Sequence, residues 1–442
     1  MSPSRGIDTI LDSLTPLVFR ASTRILELIS RHSLSIDSAF HEAMGEFRLK
    51  PGEQGAVYTL AKRTLENIGP AIYALEKYGK SGLPLRRKAA FYIAFYLAQH
   101  SPDIQKKLRA VRGGLLSDSL LGILSPRNIE QIFMEIEEQP VSFRLAYLES
   151  IPPLIVKTLL TRTELKEVKE ILKSFRRRHV WVRVSDPGRV EYVREFLEQR
   201  GLRARVDVDF PYLLEVGAPS EGPLPELPLG VAVYQDKASV AAVEALLSLS
   251  PQGLVVDLAA APCMKSSLIC NRAREVELVA VDVSEKRLSF CKKIMSRAHC
   301  SSHLICADGR VFSSTRPFDA AIVDAPCTNS GAISRDPGLR LSLWGLRRED
   351  LEYLKQTQTS LLRNALRASG RRAPVLYSTC SVLPEEGEDV LGELQADFVS
   401  LRPTLPPRLE RELVRPCEGC YRLYPHLHKT DGFFFAVISR AF

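Results

Sequence analysis

Two cysteines stand just beyond apolar segments that have the pattern of buried strands. Cys327 lies in DAPCTNSG (324–331), after the run FDAAIV, and Cys380 lies in PVLYSTCS (374–381). One helical pattern separates the two segments, so we expect neighbouring parallel strands with both thiols at the carboxyl edge of the sheet. A core cysteine is expected within a strand instead. The spacing therefore predicts that the two thiols face one site.

Thiols at such an edge have several uses. A thiolate is a nucleophile for covalent catalysis, two thiols can close a disulfide, and a pair can contribute to a metal site. A disulfide would occupy the edge where a ligand is expected, and a metal would need more ligands nearby. Catalysis is the favoured interpretation, and the other two remain open.

From about residue 229 the sequence alternates between strand and helix patterns. Apolar runs in LVVDLA, VELVAVDV, HLICAD and FDAAIVDA are separated by helical segments, which predicts a doubly wound, mostly parallel sheet. The tail CYRLYPHLHKTDGFFFAVISR predicts two antiparallel strands joined by a tight polar turn. This combination is typical of the Rossmann-like class I methyltransferases.

Small residues and acids follow the predicted strands. The loop after the first strand contains small residues and a lysine: Ala259, Ala260, Ala261, Pro262, Cys263, Met264 and Lys265. Such a loop lets backbone N–H groups approach a ligand, but it lacks the P-loop and dinucleotide glycines. Asp282 can accept hydrogen bonds from ribose hydroxyls, Asp308 can hold an adenine amine, and Asp324 follows the fourth strand. Together they predict a pocket for S-adenosylmethionine, although each acid alone could be a solvated loop residue.

Two thiols beside a sulfonium methyl donor suit methylation of cytosine at carbon 5. That carbon becomes nucleophilic when a thiolate adds at carbon 6. Afterwards the C5 proton must leave and the thiolate must be expelled, which a second thiol can assist. Asp324 can hydrogen-bond N3 or the exocyclic amine and stabilise the activated ring.

The catalytic half resembles the RsmB/Sun (Nop/Sun) family of RNA 5-methylcytosine methyltransferases over roughly residues 175–442. The matching stretches are YQDKAS (234–239), DLAAAPxxK (257–265), VDVSEKR, DAPC, QTSLL (358–362), YSTCS, PEEGE and RLYPHLHKTDGFF. The resemblance implies that Cys380, in T-C-S, is the nucleophile and that Cys327, in P-C, promotes release. DNA cytosine methyltransferases lack the T-C-S cysteine, so the pair favours RNA.

The sequence departs from that family at four positions. Cys263 and Met264 replace the usual Gly-Gly, Asn329 replaces a glycine, and Gly387 replaces an asparagine. The Cβ atoms of Cys263 and Met264 are expected to narrow the approach to the cofactor. Both cysteines and the acids are retained, so we expect an active enzyme.

Three segments are predicted along the chain. Residues 1–175 are all-helical and resemble the NusB-like domain of RNA-binding proteins in arrangement, with a generic helical bundle as the alternative. Residues 176–228 form a small α/β subdomain and a proline-rich linker, and residues 229–442 form the methyltransferase domain. Arg176–Arg178 is either an RNA-facing patch or a solvated helix end.

The composition indicates the class of protein and its expected location. The chain has 442 residues, a net charge of +8 and 45% apolar residues, which is typical of a soluble protein with polyanionic partners. No apolar run approaches about 18 residues and no secretory signal is evident, so we expect a cytoplasmic protein that does not engage membranes. Cys417 and Cys420 lie near His426 and His428, and a zinc site, a disulfide and free thiols remain open.

The sequence predicts an S-adenosylmethionine-dependent RNA (cytosine-C5)-methyltransferase. Ribosomal RNA is favoured over transfer RNA, and no obligate protein partner is evident. Alternatives are a transfer-RNA-directed enzyme and a non-catalytic RNA-binding or assembly factor on a methyltransferase fold. A methyltransferase of proteins or small molecules would leave Cys380 unexplained.

Overall fold

The computed structural model of the chain describes residue 8 and residues 10–217, 222–273, 275–296 and 301–441. The chain divides into two units. The first comprises Met1–Arg177, Pro219–Leu224 and Ile333–Leu346, and the second comprises Arg178–Ala218, Pro225–Ala332 and Arg347–Phe442. Part of the proline-rich linker, residues 218–221, lies outside the described residues.

The first unit is built from helices. They are α1 (Pro16–His32), α2 (Ile36–Glu46), α3 (Pro51–Glu66), α4 (Ile68–Lys77), α5 (Leu85–His100), α6 (Gln105–Val111), α7 (Asp118–Ile123), α8 (Pro126–Glu137), α9 (Val141–Leu148), α10 (Pro153–Arg162) and α11 (Leu165–Ser174). Helix α1 begins where the Thr15 hydroxyl accepts a hydrogen bond from the Val18 N–H at 3.2 Å. Proline occupies the first helical position of α1 and α3, where its missing N–H costs no intrahelical hydrogen bond.

A buried arginine holds the inserted segment of the first unit in place. Arg340 lies in a short helix, Leu339–Ser342, and its side chain is fully buried. Its guanidinium donates to the carbonyls of Glu149 at 2.7 Å, Ser150 at 3.1 Å and Phe175 at 3.0 Å. Burial lowers the pKa of Arg340 to about 10. Because these carbonyls lie at helix ends, the cation satisfies acceptors that the helices leave unpaired.

A small antiparallel sheet begins the second unit. Its strands are β1 (Val180–Val184), β2 (Ala204–Val206), β3 (Leu213–Val216) and β4 (Ala232–Tyr234), in the order β2-β3-β1-β4. Helix α12 (Val190–Glu198) connects β1 to β2. Strand β4 lies beyond residue 228, so this sheet includes chain that the sequence assigned to the methyltransferase domain.

A second sheet of eight strands forms the core of the second unit. Its strands are β5 (Gly253–Asp257), β6 (Val276–Asp282), β7 (Ser301–Cys306), β8 (Ala320–Asp324), β9 (Val375–Thr379), β10 (Phe398–Ser400), β11 (Cys420–Leu423) and β12 (Phe433–Arg440). The order is β10-β12-β9-β8-β5-β6-β7, with β11 paired to β12. Strands β5 to β9 pair in parallel, whereas β12 runs antiparallel to β9, β10 and β11. The predicted Rossmann-like fold is confirmed.

Helices connect these strands and cover the sheet. They are α13 (Lys237–Leu247), α14 (Met264–Arg272), α15 (Glu285–Met295), α16 (Arg348–Ala368), α17 (Glu388–Glu393), α18 (Pro407–Glu412) and α19 (Pro425–His428). Apolar clusters lie on both faces of the sheet, which explains why its central strands are continuous apolar runs. The closing hairpin was predicted to have a tight turn, but its connection contains α19. In the described part of the chain, no helix is both long and apolar enough to cross a bilayer.

Candidate active site

The two cysteines of DAPC and STCS meet at the carboxyl edge of the large sheet. Strands β8 and β9 are parallel neighbours, with Asp324 opposite Ser378. Cys327 and Cys380 are free, partly buried thiols whose sulfur atoms are 3.3 Å apart. The structure therefore brings both predicted catalytic thiols to one place, without a disulfide between them.

Hydrogen bonds lock together the two loops that carry these thiols. The Gly331 N–H donates to the Cys380 carbonyl at 3.0 Å. The hydroxyls of Ser330 and Ser381 are 2.9 Å apart, and the Val382 N–H donates to the Ser330 hydroxyl at 3.2 Å. A Cβ at Gly331 would lie 1.8 Å from the Gly432 carbonyl, so this close approach requires glycine.

A buried carboxylate, Glu386, contacts both loops. It accepts hydrogen bonds from the Thr328 N–H at 2.8 Å, the Thr328 hydroxyl at 2.5 Å and the Gln358 amide at 3.2 Å. The Ser381 hydroxyl also hydrogen-bonds to it, and burial raises the pKa of Glu386. Since Thr328 and Ser381 directly follow the two cysteines, one side chain positions both. The PEEGE motif contains Glu386, but sequence reasoning gave this acid no role.

Asn329 lies beside both sulfur atoms. Its amide oxygen is 2.7 Å from the Cys380 sulfur and 3.9 Å from the Cys327 sulfur. Its backbone φ of 58° is left-handed, a conformation that asparagine tolerates better than most residues. The replacement of the family glycine therefore preserves the backbone and adds a polar group at the thiols, which sequence reasoning did not foresee.

The environment of Cys327 keeps its thiol protonated. The hydrogen bond to Cys380 and the burial of the side chain raise the pKa of Cys327 well above its ordinary value. A thiol that holds its proton is suited to assisting a leaving group more than to attacking an electrophile.

Asp324 is held in the site by two partners. Its carboxylate forms an ion pair with Lys265 at 2.7 Å and accepts a hydrogen bond from the Ser378 hydroxyl at 2.9 Å. The Lys265 side chain is 8% exposed, whereas that of Asp324 is 36% exposed. Lys265 and Ser378 thus hold the Asp324 carboxylate in place, and the carboxylate remains accessible to a ligand.

Asp282 is buried at the end of β6 and holds the cofactor loop. Its carboxylate accepts hydrogen bonds from the Ala261 N–H at 3.1 Å and the Ser284 N–H at 2.9 Å. The Arg287 guanidinium lies 3.6 Å away. The predicted hydrogen bonds to a ribose would therefore be additional to the hydrogen bonds by which Asp282 holds the loop.

A disulfide explains one departure in the cofactor loop. Cys263 has a φ of 68° and its side chain is fully buried, bonded to Cys291 of α15. Although its Cβ was expected to narrow the cofactor approach, the sulfur is directed into the core and ties this loop to α15. Met264 follows as the first residue of α14.

The acids at four adjacent strand ends suit a cofactor with hydroxyl, amine and sulfonium groups. Asp257, which ends β5, is fully buried; burial raises its pKa to about 7, and its carboxylate accepts a hydrogen bond from the Ser266 hydroxyl at 2.6 Å. Asp308, after β7, is paired with Arg310 at 2.6 Å, and this hydrogen-bonded partner lowers its pKa. With Asp282 and Asp324 they place four carboxyl groups along one edge of the sheet, where the sequence predicts the cofactor pocket.

The Cys417–Cys420 pair forms a disulfide. His428 nearby is engaged by the Glu412 carbonyl, 2.9 Å from its Nε2. Among the described residues, no group of three or more His, Cys, Asp or Glu side chains is arranged to hold a metal ion. Of the three alternatives for this motif, the structure therefore has the disulfide.

Comparison with known proteins relates the carboxyl-terminal part of the chain to one family. Residues 244–439 match the family model described as 16S rRNA methyltransferase RsmB/F. This stretch of the chain is therefore similar to the RsmB/F methyltransferases. The match confirms the resemblance inferred from the motifs, and S-adenosylmethionine is the cofactor.

Two curated relatives are similar to part of this chain, and two solved structures share its fold. The ribosomal RNA small subunit methyltransferases B of Photorhabdus laumondii and Yersinia enterocolitica are 28% identical over 267 residues and 30% identical over 271 residues. In both cases the match covers 59% of this chain and 59% of the relative. The crystal structure of PH0851 has a TM-score of 0.76 at 24% identity and covers 96% of this chain and 99% of its own. NSun6 from Pyrococcus horikoshii, solved with SFG, has a TM-score of 0.56 at 20% identity, covering 66% and 99%.

The cofactor site of this RsmB/F-type unit can be tested at Asp282. Replacing Asp282 with alanine should weaken S-adenosylmethionine binding about 10- to 150-fold, because the ribose loses a charged acceptor worth about 1.5–3 kcal/mol. Calorimetric titration measures the affinity, and thermal unfolding measures the accompanying loss of loop stability. Unchanged affinity with a lowered Tm would mean that Asp282 serves the loop alone.

Proposed function

We propose that the protein methylates carbon 5 of cytosine in RNA, with ribosomal RNA as the substrate. The observation that carries the proposal is the pair of free thiols, 3.3 Å apart, beside an accessible carboxylate. The match to the RsmB/F family model supports the methyl-transfer chemistry. The names of the relatives support ribosomal RNA as the substrate class. The cytoplasm remains the expected location.

The first chemical step belongs to Cys380. Its thiolate forms a bond to carbon 6 of the base, and the displaced electron pair makes carbon 5 nucleophilic. Asp324, anchored by Lys265 and Ser378, accepts a hydrogen bond from the exocyclic amine and holds the ring in place for the attack. S-adenosylmethionine, when bound, supplies the methyl group that carbon 5 accepts.

The release step belongs to Cys327. When the C5 proton passes to water, its electron pair forms the double bond between carbons 5 and 6. The bond between carbon 6 and the Cys380 sulfur then breaks, and its electron pair returns to that sulfur. The Cys327 thiol, which keeps its proton, lies within reach of the departing sulfur and stabilises it by hydrogen bonding. Cys380 therefore carries out the attack, and the neighbouring Cys327 assists the release.

A nucleoside analysis tests this function. Incubating the protein with S-adenosylmethionine labelled in its methyl group and small-subunit ribosomal RNA should place the label in 5-methylcytidine, detected by mass spectrometry after nuclease digestion. Transfer RNA under the same conditions tests the choice of substrate. Label in a different nucleoside would overturn the proposal, and cofactor binding without any transfer would favour the assembly-factor alternative.

A further inference from the structure

The positive charge of the helical unit is concentrated in one stretch of sequence. Between residues 86 and 112 there are seven lysine and arginine residues and a single acid, Asp103. The whole chain has a net charge of +8, so this stretch carries an unusually large share of it. Such a local excess of cations is an electrostatic footprint for a polyanion.

The fold brings the two ends of this stretch to the same loop. The Arg87 guanidinium, at the start of α5, donates to the Leu115 carbonyl at 3.3 Å. The Arg112 guanidinium, after α6, donates to the adjacent Leu116 carbonyl at 3.0 Å. The start of α5 and the residue after α6 therefore meet at one loop. We call this region the basic surface and define it by Arg87 and Arg112 at the loop, with Arg86, Lys106 and Arg109 on the same two helices.

Most of the charge on the basic surface is available to a ligand. Arg86, Lys106 and Arg109 are exposed, and in the described chain none of them has an ion-pair partner. Lys106 and Arg109 are three residues apart on α6 and so share a helix face. Arg112 pairs with Asp118 at 2.9 Å, but that acid is 84% exposed.

Two other basic segments of the chain have acidic partners or neighbours. Arg176, in the predicted RNA-facing cluster, is bound to the Glu149 carboxylate at 2.8 Å and the Leu148 carbonyl at 3.1 Å. On α11, Lys166, Lys169 and Lys173 alternate with three glutamates in the segment ELKEVKEILK. The α11 segment therefore has no net charge, and Arg176 of the arginine cluster is in an ion pair, whereas residues 86–112 have six more cations than acids.

We propose that the basic surface binds the phosphate backbone of the RNA substrate. This inference rests on the proposed function and adds the place where the helical unit contacts RNA. A membrane fits less well, because no large apolar side chain is exposed in residues 80–101 and 103–118, whose side chains the structure describes. Phosphate contacts of this kind position an RNA without reading its sequence.

A triple variant tests the proposal. Arg86→Gln, Lys106→Gln and Arg109→Gln together should flatten the log–log dependence of RNA affinity on salt by about 2 to 3 units. The ratio of variant to wild-type Kd for a labelled small-subunit RNA fragment should then fall about 20- to 40-fold between 50 and 200 mM salt. Affinity for S-adenosylmethionine should be unchanged.

The matched control is Lys166→Gln, Lys169→Gln and Lys173→Gln, which removes the same charge from α11. It should leave the salt dependence close to that of the wild type. Equal slopes for the wild type and both variants would overturn the assignment of the basic surface while leaving RNA methylation intact. Failure of the wild type to bind or methylate RNA would instead contradict the proposed function. Selective loss of binding to polyglutamate or anionic vesicles, with RNA affinity retained, would overturn the choice of RNA.

Discussion

Replacing Cys380 with alanine is expected to abolish RNA methylation and to leave no covalent protein–RNA adduct. Without the nucleophile, the bond to carbon 6 never forms and carbon 5 is never activated. The loss should be complete within the range of a methyl-transfer assay, while S-adenosylmethionine and RNA still bind.

Replacing Cys327 with alanine should have the opposite effect on the adduct. Cys380 should still attack and the base should still receive its methyl group, but release should stall. Removing a step raises the population of the intermediate before it, so RNA should remain bound through Cys380 as a slow band on a denaturing gel. The double variant should erase that band.

Cys306→Ala provides the matched control, because Cys306 is an exposed free thiol at the end of β7, three strands away from β8 in the sheet. It should methylate normally and trap no RNA. A band with Cys380→Ala and none with Cys327→Ala would reverse the two roles. If neither variant traps RNA while both bind it, covalent catalysis by this pair is wrong.

The meeting of the two thiols could be predicted because it follows from general rules of parallel sheets. One helical crossover between apolar segments makes the strands neighbours, and a residue just beyond each strand end must then lie at the same edge. The same rules predicted where Asp282, Asp308 and Asp324 lie. Local pattern was sufficient because each residue is positioned by the strand that immediately precedes it.

Long-range pairings could not be predicted in this way. Arg340 lies in GLRLSLWGLRR, a segment to which its pattern assigned no role, yet the guanidinium is buried among helix-end carbonyls. Cys263 and Cys291 are 28 residues apart, and spacing alone does not assign disulfide partners. Glu386 is one of several acids in PEEGE, and its contacts with both cysteine loops become evident in three dimensions.

Replacing Glu386 with alanine should lower kcat about 100-fold, the scale of loss expected when reacting groups are misplaced by about 1 Å. The Thr328 N–H and hydroxyl would lose their acceptor, so the loops of Cys327 and Cys380 would no longer be held by a common group. Each buried donor left unpaired also costs about 1–3 kcal/mol, so Tm should fall. Affinity for S-adenosylmethionine should be retained.

If Glu386 positions the two cysteine loops, its variants should change kcat as well as stability. Glu386→Gln retains an oxygen that can accept from the Thr328 N–H, so it should recover most of kcat. Glu385→Ala removes the adjacent acid, which pairs with Arg348 at 3.5 Å, and should leave kcat near that of the wild type. In a Cys327→Ala background, Glu386→Ala should slow the appearance of the trapped RNA, since that rate reports the attack by Cys380. An unchanged trapping rate together with a lowered Tm would mean that Glu386 contributes to stability alone. The position of the Cys380 thiol relative to the cytosine would then not depend on Glu386.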